Sequence, residues 1–245
     1  MRELRAALAA RRGDTVGIEG FHLLREAVGS GLLLDTVFVR DDQAATIEHL
    51  PAGCCREVLV LSDDAFRSAA ATEQAQGVAA LFRRPETAYV PRTGDLLLVA
   101  DGLQDPGNLG TLIRSAEAFG AAAVALTAGT ADPWNGKCLR AASGAAFRLP
   151  LPRWTADLLA GLRAVEARLF AAVAHGGTPA HTAALAGTSV LVVGNESSGI
   201  STALLAESDL HVTLATSGPT ESLNAAVAGS LLLYEASQQR AGSLA

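Results

Sequence analysis

The chain has 245 residues, of which 49% are hydrophobic and 18% are charged, so it can bury one large core or two smaller ones. Intrinsic disorder is excluded as the main state, because disordered chains are poor in hydrophobic residues. The formal net charge of -6 argues against a protein that binds nucleic acid through its overall charge, although a local basic patch is compatible with it.

The first third of the sequence predicts a small mixed α/β domain. Apolar stretches that suit strands alternate with segments that suit helices, and polar turns separate them. We predict helices over residues 20–29, 43–50 and 63–70, and strands over residues 36–40, 57–61 and 78–82.

Residues 83–94 interrupt this periodicity with Pro85, Pro91 and Gly94. Proline and glycine are the strongest markers of turns and linkers. We therefore predict two domains, the first over residues 1–88 and the second over residues 93–245.

The second domain is predicted to be an open parallel α/β sheet. The continuous apolar run 96–100 is typical of a strand covered on both faces, and strands and helices then alternate, as in right-handed crossovers. Gly120 is expected to end the first helix. We predict strands over residues 96–100, 123–126, 168–174, 189–193 and 211–214, and helices over residues 109–119, 155–165 and 224–239 and near Ala203.

Cysteine usage and the N-terminal sequence bear on the compartment. Cys54, Cys55 and Cys138 show neither CxxC spacing nor nearby histidines, so no disulfide framework or metal site is indicated. The N-terminus lacks the pattern of a signal peptide, and no apolar run is long enough for a membrane span. We expect a soluble cytoplasmic protein that binds no metal and no membrane.

Three polar clusters follow predicted strands. They comprise residues 105–110 together with Arg114, residues 194–200, and residues 222–228. In an open parallel sheet, ligands bind beyond the carboxyl ends of the strands, so the three clusters are expected to form one pocket. Any one of these glycine-containing turns, taken alone, suits packing as well as binding.

Several common kinds of site have no sequence support. No GxGxxG follows the first strand of either half, and GxxxxGK[ST], HExxH and GxSxG are absent, which argues against dinucleotide, nucleoside triphosphate, metallohydrolase and serine hydrolase sites. Lys137, Arg140, Arg148 and Arg153 form a stretch without acidic residues. This stretch is the best candidate for a local RNA-binding patch, and scattered solvated charges are the alternative.

Taken together, the clusters resemble the three motifs of the SpoU (TrmH-like) RNA ribose 2′-O-methyltransferases of the SPOUT superfamily. The motifs correspond to residues 105–120, 191–200 and 214–235, and residues 133–145 are similar to the basic loop and helix start of the family. Ile18-Glu19-Gly20 and Gln76-Gly77-Val78 resemble the L30e-like substrate-binding domain that many members carry.

The resemblance implies a fold, a reaction and partners. The parallel sheet would carry a deep trefoil knot, the cofactor would be S-adenosylmethionine, and two chains would form a homodimer. The substrate would be structured RNA, with 23S ribosomal RNA ahead of tRNA. A non-catalytic RNA-binding or ribosome-assembly protein of the same fold is the competing interpretation.

The resemblance also implies the roles of individual residues. Arg114 would be the main catalytic residue, supported by Asn108, Glu196, Ser222 and Asn224. The cofactor would be bound by Thr127, Gly194, Asn195, Leu214 and Leu223, and RNA by Lys137, Arg140 and Arg148.

Three of the catalytic assignments need qualification. A guanidinium keeps its proton, because its pKa exceeds about 12, so we expect Arg114 to clamp a phosphate and stabilise a developing alkoxide. Glu196 could hold Arg114 in place or simply complement a helix dipole. Asn224 could equally serve only as a helix cap.

Overall fold

The computed structural model describes residues 2–8, 13–70, 76–86, 88–218 and 222–242. The chain forms two compact units. The first combines Met1–Glu86 with Trp134–Arg148, and the second combines Thr87–Pro133 with Leu149–Ala245. The sequence suggested two continuous domains, whereas a short segment from the second half of the chain belongs to the first unit.

The first unit contains a mixed four-stranded sheet. In chain order its N-terminal part consists of α1 (Arg2–Leu8), β1 (Thr15–Glu19), α2 (Phe21–Gly29), β2 (Leu34–Arg40), a 3-10 helix (Asp41–His49), β3 (Cys55–Leu61), α3 (Asp63–Ala69) and β4 (Val78–Arg83). The strand order is β1-β4-β2-β3. Strand β4 is antiparallel to both of its neighbours, and β2 and β3 are parallel. The core of the first unit includes Phe38, Phe66 and Leu81.

Most of the elements predicted for this unit are confirmed, with ends that differ by two residues or fewer. The prediction missed α1 and β1. Strand β1 contains Gly17, which makes it a poor strand candidate. A Cβ on Gly17 would lie 2.9 Å from the backbone nitrogen of Leu8, so glycine allows α1 to approach the strand. The α-helix predicted over residues 43–50 is wrong. The 3-10 helix there buries no side chain, so it lacks the packing that stabilises most α-helices.

The remaining elements follow in chain order. They are β5 (Leu96–Asp101), α4 (Pro106–Ala118), β6 (Ala123–Leu126), α5 (Gly136–Ala142), a 3-10 turn (Ala145–Phe147), α6 (Ala156–Ala164), β7 (Arg168–Ala172), β8 (Thr178–Pro179), a second 3-10 turn (Ala180–Thr182), β9 (Ser189–Gly194), α7 (Thr202–Glu207), β10 (Leu210–Thr213) and α8 (Ala225–Gly242). All except α5 and the first 3-10 turn belong to the second unit.

The sheet of the second unit is parallel throughout, with strand order β6-β5-β9-β7-β10-β8. This confirms the predicted α/β class and the five longer strands; the two-residue β8 was not predicted. Strand β5 is buried along its whole length, as expected for a strand covered on both faces. Among the described residues, no helix combines the length and apolar character that a membrane span requires.

Three features set the positions of α4 and α8. Helix α4 begins at Pro106 because the Asp105 side chain accepts hydrogen bonds from the backbone N–H groups of Gly107 and Asn108. It ends before Gly120, which has a φ of 74°, as predicted for a C-terminal glycine. A Cβ on Gly229 would overlap the side chain of Leu112, so this glycine allows α8 to pack closely on α4.

Candidate functional site

A cleft lies at the carboxyl ends of β7, β9 and β10, against the first turns of α8. Its non-protein space is about 780 Å³, a volume that includes open solvent. Its walls are mostly apolar or small, and Leu214 and Leu223 contribute to them. Its polar lining residues are Asn195, Glu196, Thr216 and Ser222.

The loop after β9 forms one wall of the cleft. The backbones of Asn195 and Gly199 exchange hydrogen bonds of 3.0 and 2.9 Å, which close the loop on itself. A Cβ on Gly194 would overlap the backbone of Gly199, so a glycine is required there by the loop itself. The Asn195 side chain accepts hydrogen bonds from the backbone N–H groups of Ser197 and Ser198 and donates one to the carbonyl oxygen of Gly102.

Hydrogen bonds between side chains connect all three polar clusters. Asn108 Nδ2 donates to Glu196 Oε1, and Asn224 Nδ2 donates to Asn108 Oδ1 at 3.3 Å. Asn224 Oδ1 in turn accepts from the backbone N–H groups of Ala226 and Val227. Asn224 therefore caps α8 and contacts the site at the same time, so the two interpretations offered for it are compatible.

Arg114 has an exposed side chain on α4. In the part of the chain that the structure describes, no hydrogen bond or ion pair joins its guanidinium to another residue. Glu196 contacts Asn108 in this structure, and not Arg114 as the sequence suggested. The guanidinium of Arg114 is thus available to a ligand, and a planar guanidinium with several N–H donors suits a phosphate.

Thr127 does not line the cleft. It is buried, and its hydroxyl donates to Asp101 Oδ1 at 2.8 Å and accepts from the backbone N–H of Gly102. Asp101, which the sequence analysis did not single out, also accepts from the backbone N–H of Ser201 at 2.6 Å. This buried carboxylate ties the end of β5 to the segment after the 194–200 loop. The sequence offered one signal for Asp101, namely that it is a charged residue at the end of an apolar run.

The basic residues predicted to bind RNA belong to the first unit. Lys137 and Arg140 have exposed side chains on α5. Arg148 forms an ion pair of 2.7 Å with Glu26 on α2, so part of its charge is already balanced. The same segment packs closely on α2, because a Cβ on Gly144 would lie 2.7 Å from the Cβ of Glu26.

Four of the five predicted cofactor residues line the cleft, namely Gly194, Asn195, Leu214 and Leu223. Among the predicted catalytic residues, Glu196 and Ser222 line it, and Asn108 and Asn224 reach it through their hydrogen bonds. The described residues include no group of three or more His, Cys, Asp or Glu side chains arranged to hold a metal ion.

Comparison with known proteins identifies the family. A model of the SpoU rRNA Methylase family matches residues 95–234, and a model of the MRM3-like substrate binding domain matches residues 2–80. The chain is 37% identical to the 23S rRNA (guanosine(2553)-2′-O)-methyltransferase RlmP of Bacillus subtilis, over 90% of this chain and 88% of that one.

Solved structures support the same family assignment. The SpoU methyltransferase AviRb of Streptomyces viridochromogenes, in complex with the cofactor AdoMet (S-adenosylmethionine), superposes with a TM-score of 0.87 at 26% identity, covering 98% of this chain and 97% of that one. An AdoMet-bound rRNA methyltransferase of Sinorhizobium meliloti gives 0.83 at 26% identity, covering 97% and 93%. The family predicted from the three motifs is therefore confirmed, and the chain belongs to the SpoU rRNA Methylase family.

Proposed function

We propose that this protein transfers a methyl group from S-adenosylmethionine to a ribose 2′-hydroxyl of 23S ribosomal RNA. The observation that carries the proposal is the hydrogen-bonded link between the three motifs, in which Asn224 contacts Asn108 and Asn108 contacts Glu196 in the lining of the cleft. The name of the Bacillus subtilis relative supports the choice of 23S rRNA. Transfer yields S-adenosylhomocysteine and a 2′-O-methylated nucleotide, and releases the hydroxyl proton.

The residues of the cleft fit the cofactor. Its apolar walls suit an adenosine ring system, and its few polar groups suit the amino acid end. Gly194, Asn195, Leu214 and Leu223 would hold the cofactor. Thr127 would act indirectly, through its hydrogen bond to Asp101, which in turn accepts from the Ser201 N–H. When bound, S-adenosylmethionine supplies an electrophilic methyl group on a positively charged sulfonium sulfur.

The catalytic groups orient the ribose and stabilise charge. Arg114 clamps a neighbouring phosphate and stabilises the alkoxide that develops on the 2′-oxygen. Asn108, Ser222 and Asn224 shape the reaction site together with Glu196. Because Arg114 keeps its proton, the hydroxyl proton passes to a phosphate oxygen, to water or to a neighbouring group.

We assign RNA binding and methyl transfer to different domains. We assign RNA binding to the domain of residues 1–88, and methyl transfer to residues 93–245. Lys137, Arg140 and Arg148 would contact RNA phosphates, and their place in the first unit supports this, since a substrate-binding family model matches that unit. We assign the protein to the cytoplasm, where ribosomal RNA is available and its three cysteines remain reduced.

We further propose that the active form is a homodimer. Val227, Leu231 and Tyr234 form an exposed apolar stripe along α8, with 48%, 44% and 48% of their surfaces accessible. Their spacing places them on one helix face, and exposed apolar stripes mark interaction surfaces. Light scattering should give twice the monomer mass for the wild type, and Leu231→Glu should shift it toward monomer.

A deep trefoil knot is part of the proposal. Strand β9 lies between β5 and β7, although both precede it in the sequence, an order compatible with threading of the later chain through an earlier loop. The similarity to the AviRb fold supports the same conclusion.

The function is tested with purified protein and cofactor labelled on the methyl group. We expect label to enter 23S rRNA, in the form of a 2′-O-methylated nucleotide identified by mass spectrometry, and not to enter 16S rRNA or tRNA. Label in tRNA alone would replace the substrate with tRNA. No transfer to any RNA, with cofactor binding also absent, would favour a non-catalytic RNA-binding protein.

A further inference from the structure

Glu196 is the only ionisable side chain among the described residues that line the cleft. The other lining residues are apolar, glycine, or neutral polar residues such as Asn195 and Ser222. A single carboxylate therefore sets the charge that this part of the wall presents to a ligand.

The hydrogen bonds around Glu196 have a fixed direction. Asn224 Oδ1 must be the acceptor for the N–H groups at the start of α8, so the Asn224 amide nitrogen faces Asn108. Asn108 then accepts with its oxygen and donates with its nitrogen to Glu196. Backbone groups thus determine, through two amides, that Glu196 Oε1 faces a donor and acts as the acceptor.

The surroundings determine how strongly this charge acts. The apolar walls lower the local dielectric constant and strengthen charge interactions. Glu196 also has an exposed side chain, so water and salt screen it. A ligand charge in the cleft should therefore gain an amount typical of partly exposed ion pairs.

We propose that Glu196 makes the cleft discriminate between the positively charged methyl donor and its neutral product. This inference rests on the proposed function. S-adenosylmethionine carries one more positive charge than S-adenosylhomocysteine, because loss of the methyl group converts the sulfonium into a neutral thioether. The carboxylate attracts the donor and loses this attraction once the methyl group has left, so the product is released more readily.

Isothermal titration of the full chain tests this. The ligands are S-adenosylmethionine, S-adenosylhomocysteine, and sinefungin, which carries an ammonium group near the position of the sulfonium. The proteins are the wild type, Glu196→Gln, and Glu57→Gln as a control that removes an equal charge from the exposed strand β3. Thermal unfolding verifies that each variant is folded.

We expect Glu196→Gln to weaken S-adenosylmethionine and sinefungin about two- to fivefold relative to S-adenosylhomocysteine, with a smaller difference at high salt. Glu57→Gln should leave all three affinities unchanged. If Glu196→Gln leaves the ratio of donor to product affinity unchanged, whether both fall equally or neither falls, discrimination by Glu196 is wrong while the proposed function stands. A wild type that binds neither cofactor form would overturn both.

Discussion

Asn108 and Asn224 are 116 residues apart in the sequence, and their side chains are joined by a hydrogen bond of 3.3 Å. One belongs to the first turn of α4 and the other precedes α8, so the contact fixes the two helices at the edge of the cleft. Because Asn108 also contacts Glu196, a change in either amide affects all three motifs.

Asn224→Asp tests the direction of the hydrogen bonds that run from Asn224 through Asn108 to Glu196. Aspartate caps a helix as well as asparagine, but it presents an acceptor to Asn108 where the wild type presents a donor. We expect a loss of about 0.5–1.5 kcal/mol in the free energy of unfolding, the net contribution of one hydrogen bond, because water reaches both side chains. Chemical denaturation measures it. Adding Glu196→Gln should recover part of the loss, because the new amide at position 196 can donate to Asn108, and Asn108 can then donate to the new carboxylate at position 224. Strictly additive losses in the double variant would refute this coupling.

Arg114→Ala should lower methyl transfer by about a hundredfold or more while cofactor affinity changes little, because the guanidinium acts on the RNA and the developing charge. Arg114→Lys should restore little, since lysine cannot reproduce the bidentate contact. Transfer rates and titration calorimetry measure the two effects. A parallel loss of cofactor binding would show that Arg114 supports the cleft instead.

Gly194→Ala should abolish cofactor binding, because its Cβ would overlap the Gly199 backbone, which cannot yield as a flexible side chain can. We expect a destabilisation of about 1–3 kcal/mol, as for other overpacked sites. Gly187→Ala is the matched control, since a Cβ there meets no atom within 4 Å. Calorimetric titration and thermal unfolding would expose an error if both variants behaved alike.

Asp209 is expected to make stability depend on acid. Burial alone would raise its pKa, but hydrogen bonds from the Leu169 N–H and Arg163, together with the charge of Arg163, hold the pKa below its usual value. A depressed pKa in the folded state means that the stabilisation is present above the unfolded pKa of about 3.9 and is lost as the pH falls through the folded value.

Unfolding measured between about pH 6 and pH 2 should therefore show a steeper loss of stability for the wild type than for Asp209→Asn. Arg163→Gln should reduce the steepness in the same way, because it removes one of the groups that depress the pKa. Identical pH profiles for all three proteins would contradict this account of Asp209.

The sequence predicted the elements whose patterns are strong and local. The buried run of β5 follows from its apolar pattern, and the end of α4 follows from Gly120. The start of α4 was placed at Leu109, three residues too late, because the Asp105 cap was not considered. Strand β1 was missed because Gly17 serves a contact with α1 that no local pattern reveals. Trp134–Arg148 was placed in the second domain because continuity of sequence says nothing about which unit a segment packs on.

The site was predicted as a set of residues, but not as a network. Motif resemblance brought Asn108, Glu196 and Asn224 together, yet it suggested Arg114 as the partner of Glu196, and the structure pairs Glu196 with Asn108. Thr127 was expected to line the cleft and is instead buried, where its hydroxyl donates to Asp101. Such distances depend on long-range packing, which spacing within a motif cannot supply.

The most direct test of the central claim is a map of ribose methylation in 23S rRNA from a strain that lacks the gene. We expect mass spectrometry to show the loss of one 2′-O-methylated nucleotide, which the wild-type gene restores and the Arg114→Ala gene does not. A map identical to that of the parent strain would contradict the account.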